Sequence, residues 1–191
     1  MYVDTALRSA LQALCPHTHR WGTMDWTINS SSLGFFSNIF RQPAYFPLLK
    51  SLSLTVEGLD YYEAEHISGG APSRLAAFHA PPDQRIEVFR EAPRLQDVLL
   101  QGIGITEVSF PLARLKTFQG DIYYPQELVR LLSQALELTQ ATLWIRFREN
   151  HSIASDPVSH SSLRHLSLYT DVECFQCFTF LLCSTCWWSN S

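Results

Sequence analysis

No stretch of this chain is apolar for long enough to cross a bilayer. The longest candidate, Phe175 to Trp188, is interrupted by Gln176, Thr179, Ser184 and Thr185, and it is shorter than the roughly 20 residues a spanning helix needs. An export signal is missing as well, because Asp4 and Arg8 stand where a signal peptide would need its apolar centre. Runs of one charge sign are absent: lysine and arginine are scattered singly. A formal net charge of -4 and a pI near 5.9 offer no broad attraction to phosphate, so nucleic acid is not an expected partner and only a local basic patch is left open. Cysteine is scarce and placed unlike a disulfide framework, with five in all and four of them in the last eighteen residues. A reducing compartment follows, and the chain is expected to be intracellular, cytoplasmic or nuclear, with no membrane partner.

Catalytic signatures are missing too. There is no Gly-x-Ser-x-Gly elbow and no His-Glu-x-x-His, and Ser68-Gly69-Gly70 lacks the Gly-Lys-Ser/Thr ending with which a phosphate loop closes. Two clusters carry metal-ligand residue types. Cys174-x2-Cys177-x5-Cys183-x2-Cys186 leaves five residues between its pairs, mostly apolar, where tetrahedral zinc sites usually leave some fifteen to twenty. Cys15-Pro16-His17-Thr18-His19 has no second ligand cluster to complete it. No catalytic, cofactor-binding or metal-ligating residue is therefore expected.

What the chain does have is apolar residues, 46% against 17% charged over 191 positions, enough for one domain with a substantial core. They recur as an apolar residue, two variable residues, an apolar residue, one variable residue and a third apolar residue. Clean copies are Leu49-Leu52-Leu54, Leu95-Val98-Leu100 and Leu163-Leu166-Leu168; weaker ones are Trp21-Met24-Trp26, Leu75-Phe78-Ala80, Leu115-Phe118-Gly120 and Leu138-Ala141-Leu143. Starts at 21, 49, 75, 95, 115, 138 and 163 lie 28, 26, 20, 20, 23 and 25 apart, within the roughly 20–29 of leucine-rich repeats. Pro47, Pro72, Pro93 and Pro111 precede four of these starts by two to four residues and read as stops for a preceding helix. Helical spacing is clearest from Pro125 through Leu128, Leu131, Leu132, Ala135 and Leu136, and shorter versions cover Thr5 to Leu14, Leu33 to Phe40 and Gln84 to Glu91.

Together these features predict an α/β fold: an irregular leucine-rich-repeat solenoid over residues 1–170, with parallel strands on one side and helices on the other. Residues 171–191 form an atypical Cys- and aromatic-rich tail that breaks the repeat. The repeat is irregular because its usual Asn or Cys, three residues after the third apolar site, is matched only by Asn29; Glu57, Asp83, Ile103, Tyr123, Arg146 and Asp171 stand at the other positions.

Three phrases carry a family resemblance: Ala13-Leu14-Cys15-Pro16-His17-Thr18-His19-Arg20-Trp21, Phe46-Pro47-Leu48-Leu49-Lys50-Ser51-Leu52-Ser53-Leu54, and Phe89-Arg90-Glu91-Ala92-Pro93-Arg94-Leu95-Gln96-Asp97-Val98. In this order the chain resembles the leucine-rich-repeat region of fungal, mushroom-type F-box-like proteins. The resemblance implies a substrate-recognition arm of a cullin-based ubiquitin ligase. A Skp-type adaptor is implied as a partner only where an F-box precedes Met1, since no residue here matches one.

The expected activity is therefore non-catalytic binding of a protein ligand whose identity the residues do not specify. A small intracellular enzyme or a truncated, nonfunctional gene product is the alternative. Strand alternation puts the variable residues on the open face of the sheet. Asp25, His79, Asp97, Gln119, Trp144, His165 and Tyr169 are the candidates for partner binding there. Tyr61 and Tyr62 are candidates on the longer insertion that also carries Asp60, Glu63, Glu65 and His66.

Overall fold

The structure is a computed structural model that describes residues 4–29, 46–57, 85–146, 158–170, 181–182 and 187–188. Helix α1, Asp4–Leu14, runs directly into a 3₁₀ segment, Cys15–Arg20, where Pro16 sits in the first turn and can give up a backbone N–H that would have no partner anyway. The strands are β1 (Thr23–Asn29), β2 (Ser51–Glu57), β3 (Asp97–Gln101), β4 (Thr117–Ile122), β5 (Gln140–Ile145), β6 (Val158–Ser159), β7 (His165–Thr170), β8 (Leu181–Leu182) and β9 (Trp187–Trp188). Helix α2, Pro125–Gln134, lies between β4 and β5.

Seven strands form one all-parallel sheet in the order β1-β2-β3-β4-β5-β7-β9, so each main strand pairs with the next along the chain. The register follows the phase of the apolar triplets. Met24, Leu52, Val98, Phe118, Ala141 and Leu166 stand side by side, and so do Trp26, Leu54, Leu100, Gly120, Leu143 and Leu168. These side chains point into one hydrophobic core, joined by the triplet-opening residues Leu49, Leu95, Leu115, Leu138 and Leu163, all buried. A leucine taken fully from water contributes about 1.5–3 kcal/mol, so this row alone is a large share of the driving force. Gly120 breaks the leucine row without leaving a hole. A Cβ there would meet Phe118 Cζ and the Leu100 carbonyl oxygen, each at 3.0 Å, so the Phe118 ring already fills the space.

A second regularity precedes each strand. The N–H of the triplet-opening residue donates to the carbonyl three residues earlier, as in Trp21 to Thr18, Leu49 to Phe46, Leu95 to Ala92, Leu115 to Leu112 and Leu138 to Ala135, at 3.0 to 3.4 Å. Those earlier residues are all buried. Pro47 and Pro93 occupy the second position of such turns, where a fixed φ suits the turn. Their phase with the repeat thus comes from starting the turn into the strand, and the segment before Pro93 is not a helix. In the last copy the acceptor changes: Leu163 N donates to His160 Nδ1 at 3.1 Å, so an imidazole replaces the carbonyl.

Just after each opening residue one carbonyl takes two N–H groups from the following rung. Gly22 O accepts from Lys50 and Ser51, Lys50 O from Gln96 and Asp97, Gln96 O from Lys116 and Thr117, Lys116 O from Thr139 and Gln140, and Thr139 O from Arg164 and His165. The same backbone arrangement therefore locks six successive rungs at five junctions.

Four expectations require correction or fall outside these residues. The segment from Gln84 to Glu91 is not helical where described: Ile86 forms a parallel bridge with Val108, and turns follow through Glu91. Its eight residues are too few for a helix to hold on propensity alone, and Ile86 instead exchanges backbone hydrogen bonds with Glu107 and Ser109. The triplet at Leu75 and the helix at Leu33 to Phe40 lie outside the described residues; in the sheet β2 pairs directly with β3. Regular helix after every strand is not the rule either, since β3 and β4 are joined through a bridge and the short 3₁₀ turn Leu112–Arg114.

Candidate functional site

The open face of the sheet is built by the alternate positions of β1 to β7. Its first row runs Thr23, Ser51, Asp97, Thr117, Gln140, His165, and its second runs Asp25, Ser53, Leu99, Gln119, Thr142, Ser167. A third holds Thr27, Thr55 and Gln101 on one side and Asp121, Trp144 and Tyr169 on the other. Side chains in these rows are half-buried or exposed, with Asp121 the buried exception.

The predicted residues fall in different rows. Asp97 and His165 share the first row, three rungs apart, and both are exposed; Asp25 and Gln119 share the second, also three rungs apart. Trp144 and Tyr169 are direct neighbours in the third, their rings stacked with centroids 5.6 Å apart and planes at 16°. Tyr169 keeps 42% of its surface exposed, so the pair presents an apolar plate with a phenol beside it. His79, Tyr61 and Tyr62 lie outside the described residues, as do the four C-terminal cysteines.

Polar neighbours are tied together across the strands. Ser53 Oγ donates to Asp25 Oδ1 at 2.7 Å, and Thr55 Oγ1 to Gln101 Oε1 at 3.3 Å. At the end of the third row, Asp121 accepts from Arg146 Nε at 2.7 Å and from Gly102 N at 2.9 Å. Arg146 stands three residues after Leu143, so here an ion pair helps close the turns after the strands. Behind them Glu127 is almost fully buried and accepts from the N–H groups of Tyr123, Tyr124 and Thr106 and from Thr106 Oγ1. As the third residue of α2 it caps the helix start, and it ties the β3–β4 loop to it.

Sequence reading missed Gln140, Gln101 and the Asp121–Arg146 pair. Gln140 follows from the alternation in β5 that points to Thr142 and Trp144; the ion pair has no signal, because its partners are 25 residues apart. Among the described residues no three His, Cys, Asp or Glu side chains group as a metal site, and no helix is long and apolar enough to cross a membrane. Cys15 packs against the core, and burial pushes its thiol up from the ordinary value. No family model matches the chain, and neither a curated protein nor a solved structure matches it.

Proposed function

We propose that the chain is an irregular leucine-rich-repeat solenoid that binds another protein through its open sheet face and has no catalysis of its own. The repeat assignment is supported by sequential parallel pairing with the triplets in register, and by the turn that recurs before each strand. The observation that carries the binding reading is the stacked, half-exposed Trp144–Tyr169 plate on a face otherwise made, apart from Leu99, of polar side chains. Interface anchors are typically such aromatics, set among polar groups that hold register. The resemblance to fungal F-box-like proteins makes this face the substrate-recognition surface of an intracellular ubiquitin ligase, with adaptor docking left to an F-box outside these residues.

Crosslinking in cells followed by quantitative mass spectrometry tests the reading. Partners recovered with the wild-type chain are expected to fall at least about tenfold with Tyr169→Ala plus Trp144→Ala, a loss of the size expected for aromatic anchors, while the thermal unfolding midpoint shifts little. A folded double variant that recovers the same partners in the same amounts would sink the assignment.

A further inference from the structure

The two positions flanking each triplet-opening residue collect basic side chains. Arg20, Arg94 and Arg114 stand one residue before Trp21, Leu95 and Leu115; Lys50, Lys116 and Arg164 stand one residue after Leu49, Leu115 and Leu163. All six are exposed. Because the repeated carbonyl bonds run from Gly22 through Lys50, Gln96, Lys116 and Thr139 to Arg164, these bases are laid out along the edge where the strands begin, on every one of these rungs but that of β5, which carries Glu137. The acids nearby are Glu91, Asp97 and Glu137, also exposed. Six bases against three acids leave this edge at +3 within a chain of net charge -4. Among the described residues, the charges at or just beyond the opposite ends of the strands are Glu57, Glu107, Glu127 and the Asp121–Arg146 pair, so the described part of the sheet is electrically polarised along its strands.

From this polarity we propose that the strand-start edge of the sheet is a docking strip for an extended acidic peptide segment of a partner protein. Four rung spacings from β2 to β7, at about 4.8 Å each, span roughly 19 Å, the length of about six residues of extended chain. Glu or Asp side chains on such a segment meet bases from successive rungs. Arg114 also donates to the Pro93 carbonyl at 3.1 Å, which holds its guanidinium at the edge. A peptide fits better than a nucleic acid. Among the described side chains, the aromatic beside this edge is Trp21, which is engaged with the Trp26 and Phe46 rings, so it offers no free platform for base stacking. The strip is separate from the Trp144–Tyr169 plate, and its occupancy does not depend on what that plate binds.

The test is fluorescence anisotropy of the purified chain with a labelled oligoglutamate, an oligoglutamine of the same length and an oligothymidylate of the same charge. Vesicles containing phosphatidylserine are assayed in parallel by sedimentation. Oligoglutamate is expected to bind at about 50 mM salt and to weaken towards about 200 mM, as surface charge pairs do. Binding is expected to fall about tenfold or more with Lys50→Glu/Lys116→Glu/Arg164→Glu and to be unchanged by Tyr169→Ala, with oligoglutamine inert. Where the reversal variant does not fold, Lys50→Gln/Lys116→Gln/Arg164→Gln, checked by thermal unfolding, decides with the same direction of effect. The proposal is overturned by failure to bind oligoglutamate, by full binding in the folded triple variant, or by tighter binding of oligothymidylate or the vesicles.

Discussion

Gly102 has φ +69°, and a Cβ built on it would stand 2.3 Å from the Val56 carbonyl oxygen. Both the left-handed backbone and the close approach exclude a side chain, while the Gly102 N–H is held by the buried Asp121. Gly102→Ala is therefore expected to cost at least about 2 kcal/mol, read as a lower urea midpoint. Gly22→Ala is the control: a Cβ there meets nothing within 4 Å, and its change is expected to stay within about 0.5 kcal/mol. Equal losses at the two positions would overturn the account of Gly102. Cys15 makes the second case at this scale. Burial raises its thiol, so the folded state holds the proton more tightly than the unfolded one. A raised acid of this kind contributes stability that is fully present below the unfolded thiol's pKa, about 8.5, and is lost as pH rises through the higher folded value. Alkylation by iodoacetamide, followed on the Cys15 peptide by mass spectrometry, is expected to run slower in the native chain than in urea near that pH. The gap should narrow as the pH rises further. A native rate equal to the unfolded rate near that pH would contradict it.

At the scale of the element, the unit that repeats is a turn plus a strand, and only half of it was legible in the sequence. Strand phase could be read because leucine, valine and phenylalanine at fixed spacing have one physical use, burial on one side of a sheet. The turn could not, because its first residue is Thr18, Phe46, Ala92, Leu112, Ala135 or His160 in successive copies. All six are buried and the first five offer a backbone acceptor, but they share no side-chain type. Of the four phased prolines, Pro47 and Pro93 mark the turn's second position where a helix end was expected. His160 is the informative exception. Its Nδ1 accepts the Leu163 N–H, so the proton sits on Nε2, which donates to the Ala135 carbonyl at 2.8 Å. One buried imidazole thus closes the turn into β7 and satisfies the C-terminal end of α2. His160→Ala leaves both backbone groups without that partner and is expected to cost about 1–3 kcal/mol. His160→Asn, whose short side chain can still accept from a backbone N–H two or three residues on, is expected to lose less. Chemical denaturation of the three proteins checks the order; asparagine no better than alanine would mean that the turn bond contributes little.

On the scale of the whole molecule, the order β1-β2-β3-β4-β5-β7-β9 means that each rung hydrogen-bonds only to the rungs beside it in sequence. Stability in such a stack is close to a sum of each unit and its interfaces with its neighbours, so damage should stay near its source. The candidate sites inherit this geometry. The aromatic plate depends on β5 and β7, whereas the basic edge draws on β1, β2, β3, β4 and β7, and a local fault should disable the two unequally. Leu143, fully buried in β5, is a clean place to make one. Leu143→Ala is expected to cost about 2–5 kcal/mol through lost burial and the cavity left behind. In native-state amide exchange the loss of protection should be largest in β5 and its partners β4 and β7, and smaller in β1 and β2. Only the amides hydrogen-bonded between strands give a fair comparison, because alternate amides of an edge strand exchange freely whatever the fold does. If every bonded amide instead loses protection by the same factor, the sheet opens as one cooperative unit, and the nearest-neighbour description of this molecule fails.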